Sequence, residues 1–112
     1  MIRRKFGPAV SGLLSAMKHP AVATQYALGL LAILAGMVLH LSYYEWIAFI
    51  FCIGIVITAE YFNTAIESLC DCVTREHNEA IGRVKDIAAG GVLTASITAL
   101  VTAVVILLHH LF

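Results

Sequence analysis

The hydrophobic positions of this chain fall into one short periodic segment and three long apolar runs. In the first segment Phe6, Val10, Leu13, Leu14 and Met17 recur at helical spacing, while Arg3, Arg4, Ser11, Ser15 and Lys18 lie mostly off that stripe. The period is that of an amphipathic helix lying on a membrane surface, here over 1–19. The basic start is also similar to a secretory leader, but Gly7-Pro8, Ser11 and Lys18 interrupt its apolar stretch and no small-residue cleavage site follows. Three later runs, 21–41, 46–63 and 87–112, match the ~20 residues a helix needs to cross a bilayer. Pro20 breaks the surface helix and opens the first span, a position where proline is tolerated. Residues 42–45 are too few for anything but a hairpin, and Tyr43, Tyr44 and Trp46 gather there as aromatic residues do at a membrane interface. The second run continues as a helix to about Val73, and a polar loop over 68–86 leads to the third. The fold expected is an all-α membrane domain, with three transmembrane helices and an N-terminal amphipathic surface helix.

Composition sharpens this class. Of 112 residues, 61% are hydrophobic and 12% charged, against about 25% charged in soluble domains; a single small membrane domain accommodates that balance. A net charge of +0 argues against a nucleic-acid partner. Every Lys and Arg lies either before the first span (Arg3, Arg4, Lys5, Lys18) or between the second and third (Arg75, Arg83, Lys85). Positive residues collect on the cytoplasmic side, so the N-terminus and the 68–86 loop are expected there and His109-His110 on the other. Cys52, Cys70 and Cys72 lack metal-ligand spacing and read as free thiols.

The acidic residues carry the chemistry. Six of the seven lie between Glu60 and Asp86. Glu60 interrupts an apolar run, and an ionisable group at that depth is a functional-site hypothesis by default. At 100° per residue, Glu60, Asn63, Thr64, Glu67 and Asp71 share one stripe of a helix. Counted from Trp46, Glu60 lies ~21 Å along the axis and Glu67 ~10 Å further. A carboxylate held away from water suits a general base acting on an alcohol. The better hydrated Glu67 suits a hard divalent cation bridging to phosphates. The plainer alternative is that Glu60 and Asn63 only hydrogen-bond neighbouring helices. In the following loop, Lys85 can approach a phosphate as a point charge, and the small residues Ala88, Ala89, Gly90 and Gly91 allow close approach. No Walker-type phosphate loop is present.

Two blocks, Glu60-x-x-Asn63-Thr64-Ala65-Ile66-Glu67 with Asp71, and Gly82-Arg83-Val84-Lys85-Asp86-Ile87-Ala88-Ala89-Gly90, resemble the bacterial integral-membrane diacylglycerol kinase family and its undecaprenol kinase branch. The resemblance covers nearly the whole chain. It implies a homotrimer in the bacterial cytoplasmic membrane that transfers the γ-phosphate of ATP, with Mg²⁺, to a lipid alcohol. It further implies Glu60 as base, Asn63 as an active-site amide, Glu67 as metal ligand, and Glu67, Glu76, His77, Asn78, Lys85 and Asp86 as the ATP-binding set. Trp46, Glu60 and Ala89 would border the lipid. One departure stands out. The family's second metal-binding glutamate falls on Pro20, the arginine usual four residues later is Thr24, and no acid precedes Glu45. Another oxygen, such as that of Asp71, must then serve. A catalytically impaired paralogue and a small proton-coupled transporter component are the alternative readings.

Overall fold

The computed structural model describes residues 2–112, with side-chain surroundings from Phe6 onward; Met1 and the side chains of Arg3, Arg4 and Lys5 lie outside the described residues. Four helices follow one another: α1 (Ile2–Ala16), α2 (Pro20–Leu39), α3 (Tyr43–Val73) and α4 (Glu79–Leu111). No strand occurs among the described residues. Helices α2, α3 and α4 are each long and apolar enough to cross a membrane.

Local chemistry sets the boundaries. Pro20 stands at the start of α2, where its missing N–H costs nothing. The helix ends at His40, held in the left-handed conformation at φ 55, with Leu41 N–H returning to the Gly36 carbonyl. The hairpin then closes through a capping box. Ser42 accepts from the Glu45 N–H while the Glu45 carboxylate accepts from the Ser42 N–H at 2.9 Å. At 31 residues α3 extends ~46 Å, well beyond a hydrocarbon core of ~30 Å. Part of α3 must therefore extend past the apolar layer.

The linker between α3 and α4 is much shorter than the loop expected over 68–86. Only residues 74–78 are non-helical. Glu79–Asp86 form the first two turns of α4, capped by Asn78 accepting from the Ile81 N–H at 3.1 Å, with Glu79 favourably placed in the first turn. Charged residues at helix-compatible spacing, outside the bilayer, read as a loop in sequence yet extend the helix in space.

The main packing is α3 against α4, with α2 against α3 second. The buried apolar set is small: Val22, Leu41, Val56, Cys70, Ala95 and Ile106. Large apolar side chains of α2, α3 and α4 face outward, which costs little among lipid tails as apolar as leucine. Close approach of α2 to α3 needs a small residue at Gly36, where a Cβ would lie 2.8 Å from Trp46 Cη2. The apolar stripe of α1, including Phe6, Val10 and Leu14, is exposed, as a helix resting on a bilayer requires. The helix runs through Gly7 and Pro8, as the surface helix expected over 1–19 requires.

Candidate active site

Helix α3 buries a stripe made of Val56, Glu60, Asn63, Thr64 and Cys70. Glu60 retains only 5% of its exposure and Asn63 and Thr64 9% each. Glu60 thus faces the helix bundle and not the surrounding acyl tails. No ion pair among the described residues includes it.

One turn further, Asn63 Nδ2 donates to Glu67 Oε1 at 3.0 Å. The carboxylate fixes which way the amide points, since only its NH₂ can donate. Asn63 Oδ1 is then left buried without a partner. Such an orphan oxygen is uncommon and calls for an explanation. The one hydrogen bond that the Asn63 side chain makes stays on α3.

Beyond the apolar run, Lys85 Nζ of α4 meets Asp71 Oδ1 of α3 at 2.8 Å, with both side chains partly exposed. The hydrogen bond from Lys85 holds the Asp71 carboxyl below its usual range, and the same contact raises the Lys85 ammonium. This ion pair joins the two sequence blocks in space. It also engages Asp71, the acid named as a substitute metal ligand.

Of the remaining residues, Glu76 and His77 are exposed on the 74–78 linker. The Asn78 side-chain oxygen is committed to capping α4. Asp86 and Ala89 are exposed on α4, flanking Lys85. Trp46 is not brought to this cluster: it packs at the opposite end of α3, edge-on to Phe49 at 6.3 Å. Pro20 and Thr24 offer no carboxylate, and the Thr24 hydroxyl donates to the Pro20 carbonyl at 2.7 Å.

Among the described residues no three His, Cys, Asp or Glu side chains converge as a metal cage. What the chain does present is hard oxygen on one face: the Glu67 carboxylate beside the unpaired Asn63 carbonyl. That donor set fits Mg²⁺, which takes one or two protein carboxylates and completes its shell with water and phosphate.

Two connections lie outside the sequence expectations. Tyr26 and Tyr61 share a 2.9 Å hydroxyl contact, and Tyr61 donates to the Leu13 carbonyl of α1 at 3.1 Å. His110 meets Glu45 at 2.9 Å across the hairpin end. The signal for the first was a phenol inside an apolar helix, which needs a partner for its hydroxyl.

A family profile described as prokaryotic diacylglycerol kinase matches residues 7–107, a span that takes in both blocks joined by the Asp71–Lys85 pair. The chain belongs to that family. Within the diacylglycerol kinase family, a protein named undecaprenol kinase from Bacillus subtilis (strain 168) is 32% identical over 79 residues, covering 70% of this chain and 64% of its own length. A diacylglycerol kinase from Escherichia coli (strain K12) is 30% identical over 105 residues, covering 93% of this chain and 86% of its own. Family membership and three membrane-length helices make the chain a multi-pass membrane protein.

Proposed function

We propose that this protein phosphorylates a membrane lipid alcohol at the expense of ATP, with undecaprenol the first choice of acceptor and diacylglycerol the second. The observation that carries the reading is Glu60, a carboxylate buried on the α3 face that also carries Asn63, Glu67 and Asp71. In the reaction the lipid hydroxyl oxygen forms a bond to the γ-phosphorus as the bond from that phosphorus to the β–γ bridging oxygen breaks. ADP leaves, and the hydroxyl proton passes to a Glu60 carboxylate oxygen.

Glu67, oriented by the Asn63 N–H, and the Asn63 carbonyl are the residues that would hold Mg²⁺. That ion, when bound, neutralises charge on the phosphates. Lys85 exchanges Asp71 for a phosphate oxygen when nucleotide arrives, acting as a mobile point charge. Glu76, His77 and Asp86, exposed around it, form the nucleotide-facing rim; Asn78 shapes that rim as the α4 cap. Ala89 leaves room beside Lys85, and Trp46 contacts the lipid chain far from the reacting end. The distribution of basic residues supports a reading in which this rim lies on the cytoplasmic side of a bacterial inner membrane, where ATP is available.

Three thin-cored helices do not enclose two substrates, which supports composite sites between protomers; the homotrimer is what the family resemblance implies. The transporter alternative loses ground on a specific observation. Thr94, Thr98 and Thr102 each donate to the carbonyl four residues earlier, so these three hydroxyls of α4 serve their own helix. Purified protein in micelles with MgATP and each lipid tests the proposal; failure to phosphorylate either at any Mg²⁺ concentration ends it and leaves the impaired paralogue.

A further inference from the structure

Helix α1 is joined to the bundle at one point. Its apolar stripe is exposed, and among the described residues the only side-chain hydrogen bond from another helix to α1 is that from Tyr61 to Leu13. The accepting carbonyl is informative. Leu13 lies in the last turn of α1, and its carbonyl oxygen has two lone pairs. Leu13 O already receives the Met17 N–H at 3.2 Å, so the phenol adds a second bond at the end of the helix.

The Tyr61 hydroxyl has one proton, and it goes to Leu13. Tyr26 must therefore donate to the Tyr61 oxygen, which orients that hydroxyl. The two rings meet edge to face, 6.4 Å apart at 83°, which holds both phenols in place. Three helices thus converge on one oxygen: α2 supplies Tyr26, α3 supplies Tyr61 and α1 supplies the carbonyl. Tyr61 is the residue next to Glu60 in the chain. The end of the surface helix is consequently held within a tyrosine's length of the backbone that carries the buried acid.

We propose that Tyr61, oriented by Tyr26, is a positioning residue that clasps the end of α1 beside Glu60 and so shapes the approach of the lipid alcohol. The inference rests on the lipid-kinase reading. The lipid must bring its hydroxyl from the membrane to Glu60, and α1, with its exposed apolar stripe, is tethered one residue away at Tyr61. Nucleotide contacts arise elsewhere, from Glu67, Lys85 and the 74–78 linker. Loosening α1 should therefore affect the lipid and spare the nucleotide.

The test is Tyr61→Phe, which keeps the ring packing and removes the hydroxyl, with Tyr26→Phe as a milder partner. Two readouts are taken on full-length protein in micelles: amide hydrogen exchange at residues 17–19, and separate KM values for MgATP and for undecaprenol or diacylglycerol. Loss of one hydrogen bond gives roughly fivefold faster exchange and a roughly fivefold higher lipid KM in Tyr61→Phe. MgATP KM and kcat stay within about twofold, and Tyr26→Phe falls between wild type and Tyr61→Phe. Unchanged exchange in Tyr61→Phe overturns the clasp. Faster exchange with an unchanged lipid KM, or with equal rises in both KM values, overturns the positioning role. If wild-type protein phosphorylates neither lipid, the kinase reading and the lipid role fall together, while the exchange result still decides whether the clasp exists.

Discussion

Asn63 turns its NH₂ to Glu67 at 3.0 Å and leaves its carbonyl oxygen buried and unpaired one helical turn from Glu60. This arrangement makes Asn63 the residue that aims the Glu67 carboxylate. Groups that orient a metal ligand typically contribute 10–100-fold in metal affinity. Asn63→Ala should therefore weaken Mn²⁺ binding in the presence of a non-hydrolysable ATP analogue by roughly tenfold, read by electron paramagnetic resonance. Glu67→Gln should weaken it further, and chelation with EDTA should stop turnover reversibly. Wild-type Mn²⁺ affinity in Asn63→Ala would remove the orienting role.

Lys85 and Asp71 lend themselves to a separate test, because a partly exposed pair contributes little to folding. Lys85→Met should raise the KM for ATP by roughly tenfold, while thermal unfolding in detergent changes little. An unaltered ATP KM would show that Lys85 serves only to tie α3 to α4.

The same pair makes a prediction about pH. Asp71 has a depressed carboxyl pKa, so its contribution is present above the ordinary carboxylate value and fades as pH falls through the folded one. Lys85 has a raised pKa, so its contribution is present below the ordinary lysine value and fades as pH rises through the folded one. Between about pH 5 and pH 9 the pair is fully charged in both states. The stability difference between wild type and Asp71→Asn should be flat over that window and shrink below about pH 4. A difference that varies near neutrality would mean another group controls it.

Gly36 offers a packing test away from the site. A methyl there meets Trp46 at 2.8 Å and Leu41 at 2.9 Å. Gly36→Ala should push α2 from α3 at the hairpin end, at a cost of about 1–3 kcal/mol. Thermal unfolding in detergent, with Trp46 fluorescence as the local probe, reads this directly. A Trp46 spectrum and midpoint equal to wild type would show that the indole yields without cost.

The sequence carried much of this because its informative features are periodic or local. Helix length, the amphipathic stripe of α1 and the shared face of Glu60, Asn63 and Glu67 all follow from 100° per residue along one helix. The 68–86 loop was misjudged because Arg75, Glu76, Glu79, Arg83, Lys85 and Asp86 mark the edge of the apolar layer, which is a different boundary from the end of a helix. Only Thr74 to Asn78, where two side-chain caps meet, actually breaks the backbone. Contacts between distant positions were invisible. Tyr26 meets Tyr61 across 35 residues and Glu45 meets His110 across 65, and no local pattern names the partner in either pair. The Asp71–Lys85 pair likewise joins two helices that no local pattern connects.

The account turns on Glu60 receiving the lipid hydroxyl proton. The direct measurement is transfer of radiolabelled γ-phosphate from ATP to undecaprenol and to diacylglycerol, comparing wild type with Glu60→Gln in the same micelles. Glu60→Gln keeps the size and hydrogen-bonding capacity of the side chain and removes its basicity. The expected result is labelled lipid phosphate from wild type, and at least ~100-fold less from Glu60→Gln with unchanged oligomer size, in keeping with the usual contribution of a general base. Phosphorylation by Glu60→Gln at the wild-type rate would contradict the account.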